Sequence, residues 1–217
     1  MLEVALDFVN QFQGDFGLDK ICDEISAAIT KCDGCNFLII GRTGVGKSAL
    51  LNVLLGLEGD SVAESGVGKP QTGKGIFAYP GSVLGNQVTI FDSWGLEAGD
   101  SYDDWQKMIG SEIARRGIKQ SVSKWFHAVI YCIDASSARV QDVEEAVING
   151  LIREGFHVVV ALTKADLCDE SDVFKLREAL LDGCKGLALA DVVPLCSTTK
   201  KICGHVHEPF GIDDLKK

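Results

Sequence analysis

The sequence predicts an α/β fold: a mixed, mostly parallel six-stranded sheet with helices on both faces. Three features of the chain point there. From residue 36 onward, short apolar runs rich in β-branched residues alternate with longer segments of helical period. A glycine-rich octapeptide, Gly41 to Ser48, joins the apolar run Phe37-Leu38-Ile39-Ile40 to the helix-forming stretch Ala49 to Leu55. The connection Pro80-Gly81-Ser82-Val83-Leu84-Gly85-Asn86 is too short for a crossover, so the strands flanking it should pair antiparallel at one edge.

Taken in order, residues 1–35 read as an N-terminal helical extension. Leu18, Ile21, Cys22, Ile25, Ala28 and Ile29 fall on one face of a helix there. Residues 36–217 read as a single α/β domain, and 217 residues are enough for a full core. Strands are expected near 36–41, 75–79, 87–91, 127–133, 157–163 and 191–196, with helices near 47–57, 102–116, 139–154 and 171–182. The stretch from Glu58 to Lys74, rich in glycine and serine, is the longest irregular segment and the place for a mobile switch.

Composition narrows the function classes. The net charge of −10 argues against a broad polyanion-binding surface, so there is no direct nucleic-acid signal. No apolar run reaches the length of a transmembrane segment and the N-terminus carries no basic-then-apolar leader, which makes the cytoplasm the expected compartment. Several of the eight cysteines sit inside apolar runs, as Cys132 and Cys196 do, and read as free thiols acting as small hydrophobes. Cys32-Asp33-Gly34-Cys35 has metal-ligand spacing, with Cys203, His205 and His207 as distant partners. Turn residues and loop histidines account for both segments equally well, and zinc is not expected.

The octapeptide carries the chemistry. Glycines let the backbone curl until successive N–H groups face an oxyanion, and the helix beginning near Gly46 turns its positive end toward it. The candidate phosphate contacts are Arg42, Thr43, Gly44, Val45, Gly46, Lys47, Ser48 and Ala49. Lys47 brings a positive charge for the β- and γ-phosphates, and the Ser48 hydroxyl suits Mg²⁺. At the end of the third strand, Asp92-Ser93-Trp94-Gly95 forms D-x-x-G. Asp92 is placed to hold Mg²⁺ through a water, and Gly95 lets a backbone N–H approach the γ-phosphate. The fifth strand runs into Thr163-Lys164-Ala165-Asp166. The Asp166 carboxylate can accept two hydrogen bonds from the edge of guanine that adenine does not offer. Lys164 can lay its stem along the base, and Thr163 can tie this loop back to the phosphate loop. After the last strand, Ser197 and Thr198 are placed for a backbone N–H to meet guanine O6.

In this order the motifs resemble those of the P-loop GTPase superfamily, over about residues 36 to 200, and most of all Era- and TrmE-type G domains. The resemblance implies the P-loop GTPase fold, binding of GTP and GDP with Mg²⁺, and hydrolysis of GTP as a nucleotide-dependent switch. It makes residues 36–217 a G domain whose final helix, opening at Pro209, is truncated. It also implies that Thr72, in Gly66-Val67-Gly68-Lys69-Pro70-Gln71-Thr72, coordinates Mg²⁺ in the GTP state. The metal set is then Ser48, Thr72 and Asp92, and the catalytic set Lys47, Thr72 and Gly95.

The chain departs from the pattern in three places. Leu96 follows the D-x-x-G glycine where Ras-like members carry a water-orienting glutamine, so turnover should be slow unless a cation, an activating protein or a second protomer of a homodimer assists. Gly44 occupies the position from which an asparagine binds K⁺ in several Era-type relatives. Trp94 replaces a common proline, and reads as packing against the following helix more readily than as an interface anchor. Arg42 and Arg139 are cations near the phosphates that can equally form surface ion pairs. Slow turnover leaves a second reading open, an assembly or docking module controlled by nucleotide state.

Overall fold

A computed structural model describes residues 34–57, 75–95, 102–116, 120–202 and 205–216, with the backbone alone for 102–106, 200–202 and 205–207. The main sheet contains β1 (Cys35–Gly41), β2 (Ile76–Val83), β3 (Asn86–Ser93), β4 (Ala128–Asp134), β5 (Val158–Thr163) and β6 (Val192–Pro194). Their spatial order is β2-β3-β1-β4-β5-β6. Only the β2–β3 pair is antiparallel; β1 pairs parallel with β3 on one side and β4 on the other. The chain order therefore reverses at β1, and the crevice beyond its carboxyl end is where such sheets take ligands.

Alternation along β1 divides the core into two layers. Leu38 and Ile40 face one apolar cluster with Ile109 of α2 (Tyr102–Arg116), Ile148 and Leu151 of α3 (Asp142–Arg153), and Leu176 and Leu180 of α4 (Glu170–Gly183). Ile39 faces the other, with Leu50, Leu51 and Leu54 of α1 (Lys47–Leu55) and Ile212 of the short α5 (Ile212–Leu215). β1 is buried on both faces, and the alternating direction of its side chains puts one helical layer on each.

Two elements differ from the sequence expectation. The β2–β3 connection is shorter than expected: β2 runs through Pro80 to Val83, and only Leu84 and Gly85 form the turn, both at positive φ (50° and 81°). Pro80 is accommodated because β2 lies at the sheet edge, where a missing N–H costs no ladder bond on the solvent side. A small antiparallel hairpin, β7 (Lys200–Ile202) with β8 (His205–His207), occupies the segment expected to be a loop. Alternation in His205-Val206-His207 was its sequence signal. Helix 18–29, the Cys32 end of the metal-spacing motif, Cys203, Thr72 and Leu96 lie outside the described residues. Cys35, Cys132, Cys168, Cys184 and Cys196 are free thiols.

Candidate nucleotide site

The phosphate loop leaves β1 at Gly41 and enters α1 through Gly46, whose φ of 98° makes it a left-handed N-cap. Lys47 and Ser48 open the helix and are buried. The Lys47 ammonium donates to the Arg42 carbonyl at 3.0 Å, which folds the side chain back over the loop it starts from. Burial pulls its pKa below the usual lysine range, opposed by the charge of Asp92.

Beside it stands the end of β3. Asp92 is fully buried, and the Ser48 hydroxyl donates to its Oδ2 at 2.8 Å. Burial raises the carboxyl pKa against the pull of Ser48 and Lys47. Its other oxygen, Oδ1, is buried with no hydrogen-bond partner among the described residues. A hydroxyl and an unsatisfied carboxylate oxygen side by side form a hard oxygen donor set that suits Mg²⁺. Cys132 lies next to the same charges, and burial pushes its thiol up to about 12, so it stays neutral.

Gly95 backs onto the phosphate loop. A Cβ there would stand 2.6 Å from the Thr43 nitrogen and 2.7 Å from Lys47 Nζ, so no side chain fits without moving backbone. Trp94 is buried in the core cluster with Phe91 and Ile109, so the sequence reading of Trp94 as packing is the one realised.

The loop after β5 reaches the same cleft. Thr163 is buried, and its hydroxyl lies within hydrogen-bonding distance of two carbonyls, Val45 at 2.5 Å and Ile133 at 3.1 Å. Lys164, at φ 55°, sends Nζ to the Gly44 carbonyl at 2.8 Å and to Asp134 Oδ2 at 2.6 Å. Asp166 is half-buried in the 3₁₀ turn Ala165–Leu167. That turn is bonded to the loop after β6 by Ala165 N–H donating to the Leu195 carbonyl at 3.1 Å, which brings Ser197 (half-buried) and Thr198 (exposed) to the same end of the sheet. The fold thus gathers residues 42–49, 92–95, 163–166 and 197–198 at the carboxyl ends of β1, β3, β5 and β6.

Sequence reasoning passed over two acids here. Asp134 ends β4 and holds Lys164, and an acid at a strand's carboxyl end before two serines was the available signal. Glu144 is buried in the first turn of α3, where its Oε2 accepts the Gln141 N–H at 2.9 Å. Burial raises its pKa, opposed by the Gln141 N–H and by the positive charge of Arg42. Arg42 therefore has an acidic neighbour in α3, whereas Arg139 is exposed.

A strand–glycine loop–helix unit at the reversal point of such a sheet, flanked by a buried serine–aspartate pair, defines a P-loop nucleotide-binding protein. The family described as 50S ribosome-binding GTPase matches over residues 36–164. The chain belongs to this GTPase family, as a TrmE/Era-like G domain. It is 28% identical over 195 residues to the tRNA modification GTPase MnmE of Synechococcus sp. (strain RCC307), covering 90% of this chain and 39% of MnmE. The chain thus spans about two fifths of that relative's length. Among solved structures, a variant of Aquifex aeolicus Era bound to GDP and AlF4– superposes with a TM-score of 0.55 at 23% identity, over 75% of this chain and 50% of that one. The chloroplast translocon GTPases atToc33 and psToc159 are represented by a structure with a TM-score of 0.59 at 18% identity, over 88% of this chain and 83% of that one. These structural likenesses speak for the fold.

Proposed function

We propose that the cleft binds GTP and GDP with Mg²⁺ and that the protein hydrolyses GTP slowly, acting as a nucleotide-dependent switch. The observation that carries this reading is the bonding of the base-side loop to the phosphate loop, Thr163 to Val45 and Lys164 to Gly44. A base read by Asp166 and a phosphate tail held by Gly44 to Ser48 then belong to one rigid frame.

In this reading the N–H groups of Arg42 through Ala49 and the Lys47 ammonium hold the phosphate charge, and Ser197 and Thr198 close the base pocket. Ser48 and Asp92 would hold Mg²⁺, with Thr72 joining in the GTP state, and the ion would supply positive charge to offset that of the phosphates. Gly95 offers its N–H to the γ-phosphate. Leu96 has no group to orient water, so assistance comes from a second protomer or an activating protein. Dimerisation is important for the GTPase activity of atToc33 and psToc159, and a homodimer is the partner proposed here. Free thiols fit a cytoplasmic, reducing setting. Among the described residues no helix is long and apolar enough to cross a membrane.

Competition binding tests the base assignment: GDP should displace a fluorescent guanine nucleotide at far lower concentration than ADP, and equal displacement would defeat it. Single-turnover hydrolysis against protein concentration tests the dimer. A rate that climbs with concentration supports it, and a flat rate near zero favours the assembly or docking module instead.

A further inference from the structure

The acid at the end of β4 belongs to none of the motifs, yet it contacts the base-side lysine. Its two oxygens have separate partners. Oδ1 accepts the Ser136 N–H at 2.9 Å and the Ser136 hydroxyl at 2.6 Å, which anchors the carboxylate in the turn following β4. Oδ2 is left pointing at Lys164 Nζ, 2.6 Å away. Burial works to raise the Asp134 pKa, but the Lys164 and Ser136 hydrogen bonds and the lysine charge together hold it below the usual carboxylate range, so it is ionised at neutral pH.

Lys164 needs such an anchor. Its residue sits at φ 55°, a left-handed conformation that is strained for a residue with a Cβ and persists only when the surroundings fix it. Thr163 cannot share the work on the base side. Its single hydroxyl proton faces two carbonyls, which leaves no donor for a ligand. Lys164 therefore adds to the Thr163 tie a second link, from the phosphate loop and the β4 turn to the base side. The pair is also too open, at 34% and 22% side-chain exposure, for its Coulomb energy to count for much in stability. What it can do is set where the lysine stem lies.

We propose that Asp134 is a positioning residue for the nucleotide, acting through Lys164: it fixes the ammonium against the Gly44 carbonyl and so holds the stem along one face of the base. The proposal rests on the guanine-nucleotide reading above and deepens it. It makes the end of β4 a third wall of the base site, beside the loops after β5 and β6.

The test is the dissociation rate and affinity of a fluorescent GDP analogue on the full chain. Asp134→Ala should raise both koff and Kd about tenfold, because the lysine then has to be ordered on binding instead of beforehand. Asp134→Asn, which keeps an oxygen acceptor without the charge, should fall between. In a Lys164→Met background, which keeps the stem and removes the ammonium, Asp134→Ala should change koff by less than about twofold. A purely structural role would not give that non-additivity. The preference for GDP over ADP should survive in every variant, because Asp166 supplies it. An unchanged koff in both Asp134→Ala and Asp134→Asn, or a full additional loss in the Lys164→Met background, overturns the proposal. If Asp134→Ala does not fold, Asp134→Asn decides alone by the same comparison. Failure of the wild-type protein to bind GDP would sink the guanine reading and this proposal together, whereas normal wild-type binding with an unaffected variant sinks this proposal only.

Discussion

Around the phosphate loop, Lys47, Ser48 and Asp92 are charged or polar groups taken into the core, whereas around the base-side loop Lys164, Asp166 and Ser197 stay half-exposed. The two halves of one cleft are thus built on different principles. On the phosphate side the backbone curls against buried side chains, Gly95 leaves no room for a methyl group, and the buried Asp92 carboxylate keeps one oxygen unsatisfied. Such a site stores part of its interaction energy as desolvation already incurred, and a phosphate with its cation would discharge it. On the base side, buried bonds from Thr163 and Ala165 fix the loops, while the groups that would meet the base, Lys164, Asp166 and Ser197, stay partly exposed, so selectivity can be set there with little further demand on the core.

That contrast yields expected outcomes of decreasing size. Lys47→Met should weaken GDP and GTP binding by roughly a thousandfold, read by calorimetry, because the buried Lys47 ammonium lies over the loop beside Asp92 and Gly95. A loss below about tenfold would mean that backbone N–H groups alone carry the phosphate half. Asp166→Asn should cut the GDP-over-ADP preference by about a hundredfold and shift binding toward xanthine nucleotides, with the thermal midpoint of the nucleotide-free protein moving by less than about 2 °C. A large fall in that midpoint would erase the contrast between the halves.

Gly95→Ala should do the reverse. The added methyl meets the Thr43 nitrogen and forces the D-x-x-G segment off the phosphate loop. Stability should drop by about 1–3 kcal/mol in denaturant unfolding, and GTP affinity should fall about tenfold further than GDP affinity. Equal effects on the two nucleotides would remove Gly95 from the γ-phosphate side.

The smallest effect concerns Glu144. Its folded-state pKa is raised, mainly by burial, so the folded protein takes up this proton at higher pH than the unfolded chain does. Its contribution to stability therefore grows as pH falls through the raised value toward the ordinary glutamate value of 4.5, and is constant above it. Glu144→Gln keeps the oxygen that accepts from Gln141 but does not titrate. Wild type should gain stability relative to this variant as pH is lowered from 7 to 4.5, measured by thermal unfolding at matched ionic strength. A difference that does not move with pH would show that Arg42 and the Gln141 N–H fully offset burial.

Much of this was legible in the chain because local rules and the global fold agree. The apolar run of β1, the glycine spacing of residues 41–48 and the position of Asp92 after an apolar run respectively specify a strand, a loop and a strand end without reference to distant residues. The tight Leu84–Gly85 turn was misjudged because proline usually ends a strand, and only the edge position of β2 makes Pro80 tolerable. Asp134 and Glu144 were passed over for a different reason. An acid at a strand end or in the first turn of a helix is common, and its meaning depends on which cation the fold sets beside it.

By itself, then, the sequence determined the α/β class, the glycine cradle, and the acidic and hydroxyl groups spaced along successive strand ends, since each of these follows from short-range periodicity and residue chemistry. The tie from Thr163 to the phosphate loop was expected from the motif and is realised at Val45; tertiary structure alone decided that Lys164 meets Gly44, 120 residues away, and that Asp134 faces that lysine. Those meetings depend on strand order and register in a sheet assembled from distant segments, and no local pattern encodes them.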